Sequence, residues 1–319
     1  MSAMTIPRGL AGVPHHLAAL ALFLAGVEAS TGALLSAHYV PTHAEAHASV
    51  LRLVASVPFG ELLRAVHVRG ADLLVVTVWF AVLASALNGG WRRPRAASWS
   101  ALVLLGFVTL YAGFTGSLLP WSRDSAAGAQ VATATVGAVP WLGAWLRRAM
   151  LGGDDTGAVT LVRVWGAHAA LLPGVASALL AGAVAQRVAR PVSPEDDTPS
   201  MPLAPHFLLR VAAMGTAAMM ALVLLAVFAT PGVGASAESA VRGGAAPWYL
   251  GGVHALLRAM PSRVIGVPGA TVAVLLGWTA GAGLLALPWI DSRASRPLRG
   301  LVLALALVVL GGTVYARFA

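Results

Sequence analysis

Seven stretches of this sequence carry almost no charge, and each is close to the ~20 residues needed to cross a bilayer. They run from about Leu17 to His38, Leu63 to Asn88, Trp99 to Leu119, Val159 to Val188, Leu208 to Phe228, Val264 to Trp289 and Leu298 to Ala316. Lipid offers no hydrogen bonds, so each such run must satisfy its own backbone, as a helix does. The expected fold class is therefore all-α and integral to the membrane, with seven transmembrane helices. Composition agrees: only 10% of the 319 residues are charged, against about 25% in globular domains. Between the third and fourth runs lies an amphipathic connection, Ala126 to Met150, with Pro140 in its middle. It is too polar and too broken to span, and is expected to lie at the interface.

The chain carries a net charge of +9, from 21 Lys+Arg against 12 Asp+Glu. In a membrane protein such an excess belongs to cytoplasmic loops and not to nucleic acid. Arg92, Arg93 and Arg95 follow the second run, Arg187 and Arg190 follow the fourth, and Arg293, Arg296 and Arg299 follow the sixth. All three groups fall on one side, assigned to the cytoplasm, which makes the N-terminus cytoplasmic. Arg147, Arg148, Arg258 and Arg263 lie on the other side, so the bias is incomplete. No cleavable signal is read at Met1 to Pro14, which lacks an apolar core. The Ala-, Gly- and Arg-rich, nearly Lys-free composition points to a bacterial inner (cytoplasmic) membrane. A polar linker with Glu195, Asp196 and Asp197 divides the chain into a four-helix part (1–190), a linker (191–205) and a three-helix part (206–319). There is no cysteine, which excludes disulfides, thiol catalysis, iron–sulfur ligation by this chain and covalent haem attachment.

Two histidines stand early in apolar runs: His67 in Arg64-Ala65-Val66-His67, and His168 in Arg163-Val164-Trp165-Gly166-Ala167-His168. A His inside a membrane bundle is costly without a role. Two of them, on different helices near one membrane face, can supply both axial ligands of one haem. The alternative is a pair of hydrogen-bonded histidines in a relic fold. Arg64 and Arg163 suit haem propionates, or else snorkel to the interface. Glu28, four residues before Gly32, either relays protons or stands as a protonated acid in a hydrogen bond. Asp72 is read as the partner of Arg69. His43 and His47 have metal-ligand spacing but no third ligand in sight.

A series of motifs then resembles the cytochrome b family, the quinol-oxidising subunit of bc1 and b6f complexes. Thr31-Gly32 followed by His38-Tyr39-Val40-Pro41 resembles the end of its first helix, and Arg64-Ala65-Val66-His67 then Gly70-Ala71 the start of its second. Gly116-Ser117-Leu118-Leu119-Pro120-Trp121 resembles the end of the third; Gly128-Ala129 and Val139-Pro140-Trp141-Leu142-Gly143 resemble the interfacial helices. Arg163 with His168 and Leu172-Pro173 resembles the fourth helix, and Leu287-Pro288-Trp289-Ile290-Asp291 the end of the sixth. Ala246-Pro247-Trp248-Tyr249 stands where the family carries a Pro-Glu-Trp-Tyr signature. The order and spacing of the motifs carry the resemblance.

The resemblance implies two haems between the second and fourth helices, on His pairs fourteen residues apart, with Gly residues on the first and third helices giving each haem room. Fourteen residues are about 3.9 turns and ~21 Å of helix. The outer set is present as His67, His168, Gly32 and Gly116. The inner positions hold Ala81, Gly182, Ala18 and Leu102, so one haem b, at the outer site, is expected. Arg210 and Val211 stand where a basic–acidic pair would bind an inner quinone, and Pro247 replaces the signature Glu. Tyr249, His254 and Glu28 are the remaining candidate catalytic residues. Trp248 and Tyr249 are read as pocket walls or aromatic belt, and His254 as a substitute proton acceptor.

The function implied is that of a single-haem subunit of a respiratory or photosynthetic complex. It would exchange electrons between quinol or quinone and an outer-side partner: a Rieske protein, a c-type cytochrome or another iron–sulfur subunit. A multi-subunit assembly and a homodimer are the family's habit. The alternative is a degenerate cytochrome b serving as a non-catalytic scaffold. A transporter is disfavoured, because the runs lack broken helices and inverted repeats.

Overall fold

The structure, a computed structural model, describes residues 5–93, 95–154, 156–189, 200–237, 247–290 and 295–318. Arg190, Glu195, Asp196, Asp197, Ala246, Asp291 and Arg293 lie outside the described residues. Among the described residues, seven helices are long and apolar enough to cross a membrane. They are α1 (Val13–Ser36), α3 (Gly60–Leu87), α4 (Ala96–Leu118), the joined pair α7 (Ala158–Gly166) and α8 (Leu172–Ala189), α9 (Leu208–Phe228), α11 (Gly269–Ala286) and α12 (Ser295–Phe318). Four shorter helices lie between them: α2 (Ala46–Ser56), α5 (Arg123–Gly137), α6 (Gly143–Leu151) and α10 (Gly251–Ala259). The protein is a multi-pass, all-α membrane protein.

Local chemistry sets the boundaries. Pro14, at the start of α1, needs no N–H partner there and moves the helix start ahead of the expected Leu17. The amphipathic connection breaks into α5 and α6 around Pro140, and Trp141 takes a positive φ of 59° at the break. The sixth span begins at Gly269, not at Val264. Residues 263–268 instead form a hairpin, β3 (Arg263–Val264) with β4 (Val267–Pro268), whose turn residues Ile265 and Gly266 both have positive φ. That is the backbone of a tight two-residue hairpin turn. At the opposite end of the chain, β1 (Thr5–Pro7) pairs antiparallel with β2 (Ser200–Pro202), burying Ile6 against Met201 and Phe207. The N-terminus and the end of the polar linker are thus on one side, as the charge pattern requires.

α3 is the central helix. It packs against α1, α4, α2 and α9, and α4 packs in turn against α8. α10 lies against α12 and α11. Midway through the bundle Ala21, Val78 and Leu105 pack with Leu74, Ala176, Leu179 and Leu180. Further along, Trp91, Trp99 and Val103 form a second cluster with Leu102 against it. Trp99 ties α4 to α11 through a 2.8 Å hydrogen bond from its indole N–H to the Leu284 carbonyl.

One irregularity matters for the site. α7 passes into α8 through a π-helical turn, Ala167–Leu171, which contains His168. Such a turn holds one residue more than an α turn and moves the following residues about 100° around the axis. The residues of α8 turned toward the bundle are then Leu172, Ala176, Leu179, Leu180 and Ala183, whereas Gly182 is exposed. The place beneath His168 therefore belongs to Ala183 and not, as regular spacing suggests, to Gly182. Of the other inner positions, Ala81 is fully buried, Leu102 is half-buried and Ala18 is exposed.

Candidate functional site

His67 on α3 and His168 in the π turn face each other, with ring centroids 6.1 Å apart and ring planes at 83°. Each is held by the neighbouring helix in the same manner. Thr31 Oγ1 of α1 lies 2.9 Å from His67 Nδ1, and Thr115 Oγ1 of α4 lies 3.3 Å from His168 Nδ1. Both threonine hydroxyls donate to carbonyls of their own helices, Thr31 to Val27 and Thr115 to Tyr111, which leaves their oxygens free to accept an imidazole N–H. Next in sequence come Gly32 and Gly116. A Cβ on Gly32 would sit 3.1 Å from His67 Cε1, and one on Gly116 would sit 2.8 Å from His168 Cε1. A Thr-Gly pair is thus used twice, once under each ring. The repetition of Thr-Gly at 31–32 and 115–116 is the sequence signal for Thr115, which motif reading alone leaves out.

The two halves differ at one point. Three residues before Thr115, the Ala112 carbonyl accepts from His168 Nδ1 at 3.0 Å. Three residues before Thr31, the Glu28 backbone carbonyl likewise accepts from His67, and the Glu28 side chain makes the difference, with its Oε2 3.1 Å from Nδ1. The other oxygen, Glu28 Oε1, is packed against Gly70, where a Cβ would collide with it.

This arrangement suits a haem. A metal–imidazole bond of about 2 Å puts the ring centre about 3 Å from the metal, so two imidazoles on opposite sides of one iron have centroids about 6 Å apart. Hydrogen bonding through Nδ1 fixes the tautomer and leaves Nε2 as the lone-pair donor, the usual outer-shell logic of metal-binding histidines. The glycines keep side chains away from both rings. Haem iron needs only these two protein ligands.

The arginines hold loops at the same end. Arg64 donates to the Pro231 and Gly232 carbonyls at 2.6 and 3.0 Å, and Arg163 donates to the Ala149 carbonyl at 3.0 Å. Carbonyl partners neutralise neither charge, and the carboxylate of Glu61 lies within electrostatic reach of Arg64. His47 Nδ1 donates to the Pro120 carbonyl at 3.1 Å, and the His43 ring lies 4.5 Å from that of Trp121, so these two histidines brace the loop after α1. Tyr39 of the His38-Tyr39-Val40-Pro41 motif donates to the Leu119 carbonyl at 2.8 Å, tying the ends of α1 and α4.

A second cluster stands beside the pair. A 3₁₀ turn, Trp248–Leu250, packs Leu250 against Phe114 and Leu118. The Trp248 and Tyr249 rings meet edge to face at 5.6 Å. Tyr249 crosses α4 at Gly113, where a Cβ would lie 2.9 Å from its hydroxyl, and shares a hydrogen bond with Ser117. Burial, with the Asp72 carboxylate nearby, pushes the Tyr249 phenol well above its ordinary pKa. Asp72 pairs with Arg69 at 3.4 Å and also accepts from Trp248 Nε1 at 2.7 Å. His254 stands apart on α10, where desolvation and the neighbouring Arg258 lower its pKa.

Known proteins share this architecture. A family model described as Cytochrome b/b6/petB matches residues 9–185. Cytochrome b/c1 of Bradyrhizobium diazoefficiens is 28% identical over 291 residues, covering 87% of this chain and 41% of that protein. The menaquinol:cytochrome c reductase cytochrome b subunit of Bacillus subtilis is 33% identical over 175 residues, covering 52% of this chain and 78% of that protein. This chain thus spans less than half the length of the Bradyrhizobium relative. A solved structure described as a hyperthermophilic respiratory Complex III shares the fold with a TM-score of 0.83 at 22% identity, over 98% of this chain and 86% of that one. The family match covers more than half of the chain and includes α1, α3, α4 and the π turn after α7, which carry Thr31-Gly32, His67, Thr115-Gly116 and His168. On that ground the chain belongs to the cytochrome b family, membership of which implies haem b binding.

Proposed function

We propose that this chain is the haem b-bearing subunit of a quinol-linked electron-transfer complex, with one haem, held between His67 and His168 at the outer face of a bacterial inner membrane. The observation that carries the reading is the paired cradle: two imidazoles 6.1 Å apart, each tied through Nδ1 and each facing a glycine. The N-terminus is cytoplasmic, residues 1–190 form the haem-binding part, and residues 206–319 form the C-terminal part that carries Trp248 and Tyr249.

When bound, the haem takes up and passes on single electrons. The protein's own residues do the rest. His67 and His168 would hold the iron, while Thr31 with Glu28 and Thr115 with Ala112 keep both rings in one tautomer. Arg64 and Arg163 offer charge to the propionates at the interface. Trp248, Tyr249 and Asp72 form an outer mouth for a quinol or quinone head group, with Glu28 and His254 as further titratable groups. At the inner level Ala81, Ala183 and Leu102 offer no ligand. The electron path is therefore confined to the outer half, between the quinone pool and an outer one-electron partner: a Rieske-type protein, a c-type cytochrome or another iron–sulfur subunit.

Haem quantification with the reduced-minus-oxidised spectrum tests this. One b haem per purified chain is expected. Two would require inner ligands outside Ala81 and Ala183, and none would leave a scaffold role. A second expectation concerns Glu28. An acceptor oxygen on His67 Nδ1–H increases the ring's donation to iron and favours the oxidised state. Glu28→Leu removes the side-chain oxygen beside Nδ1 and should raise the midpoint potential by some tens of millivolts, where roughly 60 mV is a tenfold one-electron equilibrium shift. A redox titration of the haem band reads this, and an unchanged potential would remove Glu28 from the tuning role.

A further inference from the structure

Asp72 does more than pair with Arg69. Its Oδ1 accepts from Trp248 Nε1 at 2.7 Å, on a segment 176 residues away, and its Oδ2 lies 3.4 Å from Arg69 Nη1. That second contact is long for a charge-assisted bond, which usually measures about 2.7–2.9 Å. Arg69 is also engaged elsewhere, donating from Nε to the Ala229 carbonyl at 3.0 Å. An ionised carboxylate has about four acceptor sites, and among the described residues two have partners. The side chain is 26% exposed, so it is neither sealed in the bundle nor fully open.

The groups that face Asp72 narrow the chemistry. Arg69 on its own helix is a donor only. Trp248 is a donor only. Tyr249 stays a phenol, since burial and the nearby carboxylate both oppose its ionisation. From α1, Glu28 is within electrostatic reach of Asp72, but its Oε2 faces His67 Nδ1 at 3.1 Å and its Oε1 is buried against Gly70, away from Trp248 and Tyr249. Asp72 is thus a partly exposed carboxylate, with acceptor positions open among the described residues, beside two aromatic rings. An aromatic wall with a donor and a base side by side fits a flat, apolar ring with hydroxyl groups.

We propose that Asp72 is the proton acceptor for quinol at this mouth. The proposal rests on the quinol-linked reading above. The quinol hydroxyl donates a hydrogen bond to Asp72, the quinol O–H bond then breaks and an O–H bond forms on the carboxylate. The products are a quinolate anion and a neutral Asp72, and no electron moves in this step. Arg69, released from its carboxylate, keeps a positive charge beside the new anion.

The test uses the full chain loaded with haem, with a short-chain benzoquinol and a short-chain naphthoquinol as probes. Asp72→Asn keeps the acceptor for Trp248 but removes the base. Its haem content should match wild type, while haem reduction by quinol should slow by about 100-fold or more, the usual range for losing a general base. The rise of the wild-type rate with pH should flatten in Asp72→Asn, and Asp72→Glu should restore part of the rate. Independently of rate, quinol added to the oxidised wild-type protein should produce an infrared carboxylic C=O band that shifts in Asp72→Glu and vanishes in Asp72→Asn. Wild-type rates in Asp72→Asn, or no such band in wild type, would overturn the proposal, as would a slow His254→Asn beside a normal Asp72→Asn. If wild-type haem is reduced by neither quinol, the quinol-linked reading itself fails, and the role of Asp72 falls with it.

Discussion

His168→Ala should purify as a folded membrane protein without a b-type absorbance band, and His67→Ala should do the same. Each imidazole would supply one of the two protein ligands of the haem iron, and among the described residues no neighbouring side chain replaces it. The groups around His67 are Thr31, Glu28 and Gly32, and those around His168 are Thr115, the Ala112 carbonyl and Gly116. None is a usual haem ligand. Partners that merely orient a metal ligand are worth roughly 10–100-fold in affinity, so loss of the ligand itself should exceed about 100-fold. Misfolding is the competing explanation for a lost band. His47→Ala controls for it, because His47 braces the Pro120 carbonyl and touches neither ring of the pair. It should keep its haem. Full haem in either His67→Ala or His168→Ala would refute the bis-histidine site.

Where the physics is local, the sequence discloses the structure. Leu208 to Phe228 is apolar but for Arg210 and Thr216 and needs no outside partner to be a helix, and α9 has those same bounds. The outer histidines were legible for a similar reason: a costly residue in an apolar run advertises itself. Features made by distant pairings were not legible. The β1–β2 ribbon joins residues near the two ends of the first 202, and neither strand has a pattern of its own. The hairpin at 263–268 is hidden because Val264, Ile265 and Val267 read as the start of an apolar run; only the backbone of Ile265 and Gly266 reveals the turn. The π turn at His168 changes which residue lies beneath it from Gly182 to Ala183, and periodicity assumes the turn away. Asp72 shows its local partner, Arg69, in sequence, but its shorter bond to Trp248 spans two parts of the chain.

Gly116→Val should lose its haem almost as completely as the histidine variants, although it removes no ligand. A Cβ at Gly116 would lie 2.8 Å from His168 Cε1 and 3.3 Å from Nδ1, inside the distance at which ordinary side-chain contacts stop. The ring cannot retreat freely, because Nδ1 is tied to Ala112 and Thr115. A valine there must break those hydrogen bonds or push α4 from α8, and overpacking of this kind costs about 1–3 kcal/mol before any haem is considered. With about 1.4 kcal/mol per factor of ten, alanine at Gly116 should weaken haem retention by roughly 5–100-fold, and valine by more. Gly32→Ala should be milder, since its Cβ would lie 3.1 Å from His67 Cε1. Gly174→Ala supplies the contrast: its Cβ would meet nothing within 4 Å, and replacing a helical glycine by alanine gains about 0.5–1 kcal/mol. Haem retained per chain after graded detergent exposure should therefore rank Gly174→Ala at or above wild type, then Gly32→Ala, Gly116→Ala and Gly116→Val. If Gly116→Val held its haem as wild type does, the threonine–glycine cradle would be packing without consequence, and the 6.1 Å spacing of the rings would lose its functional meaning.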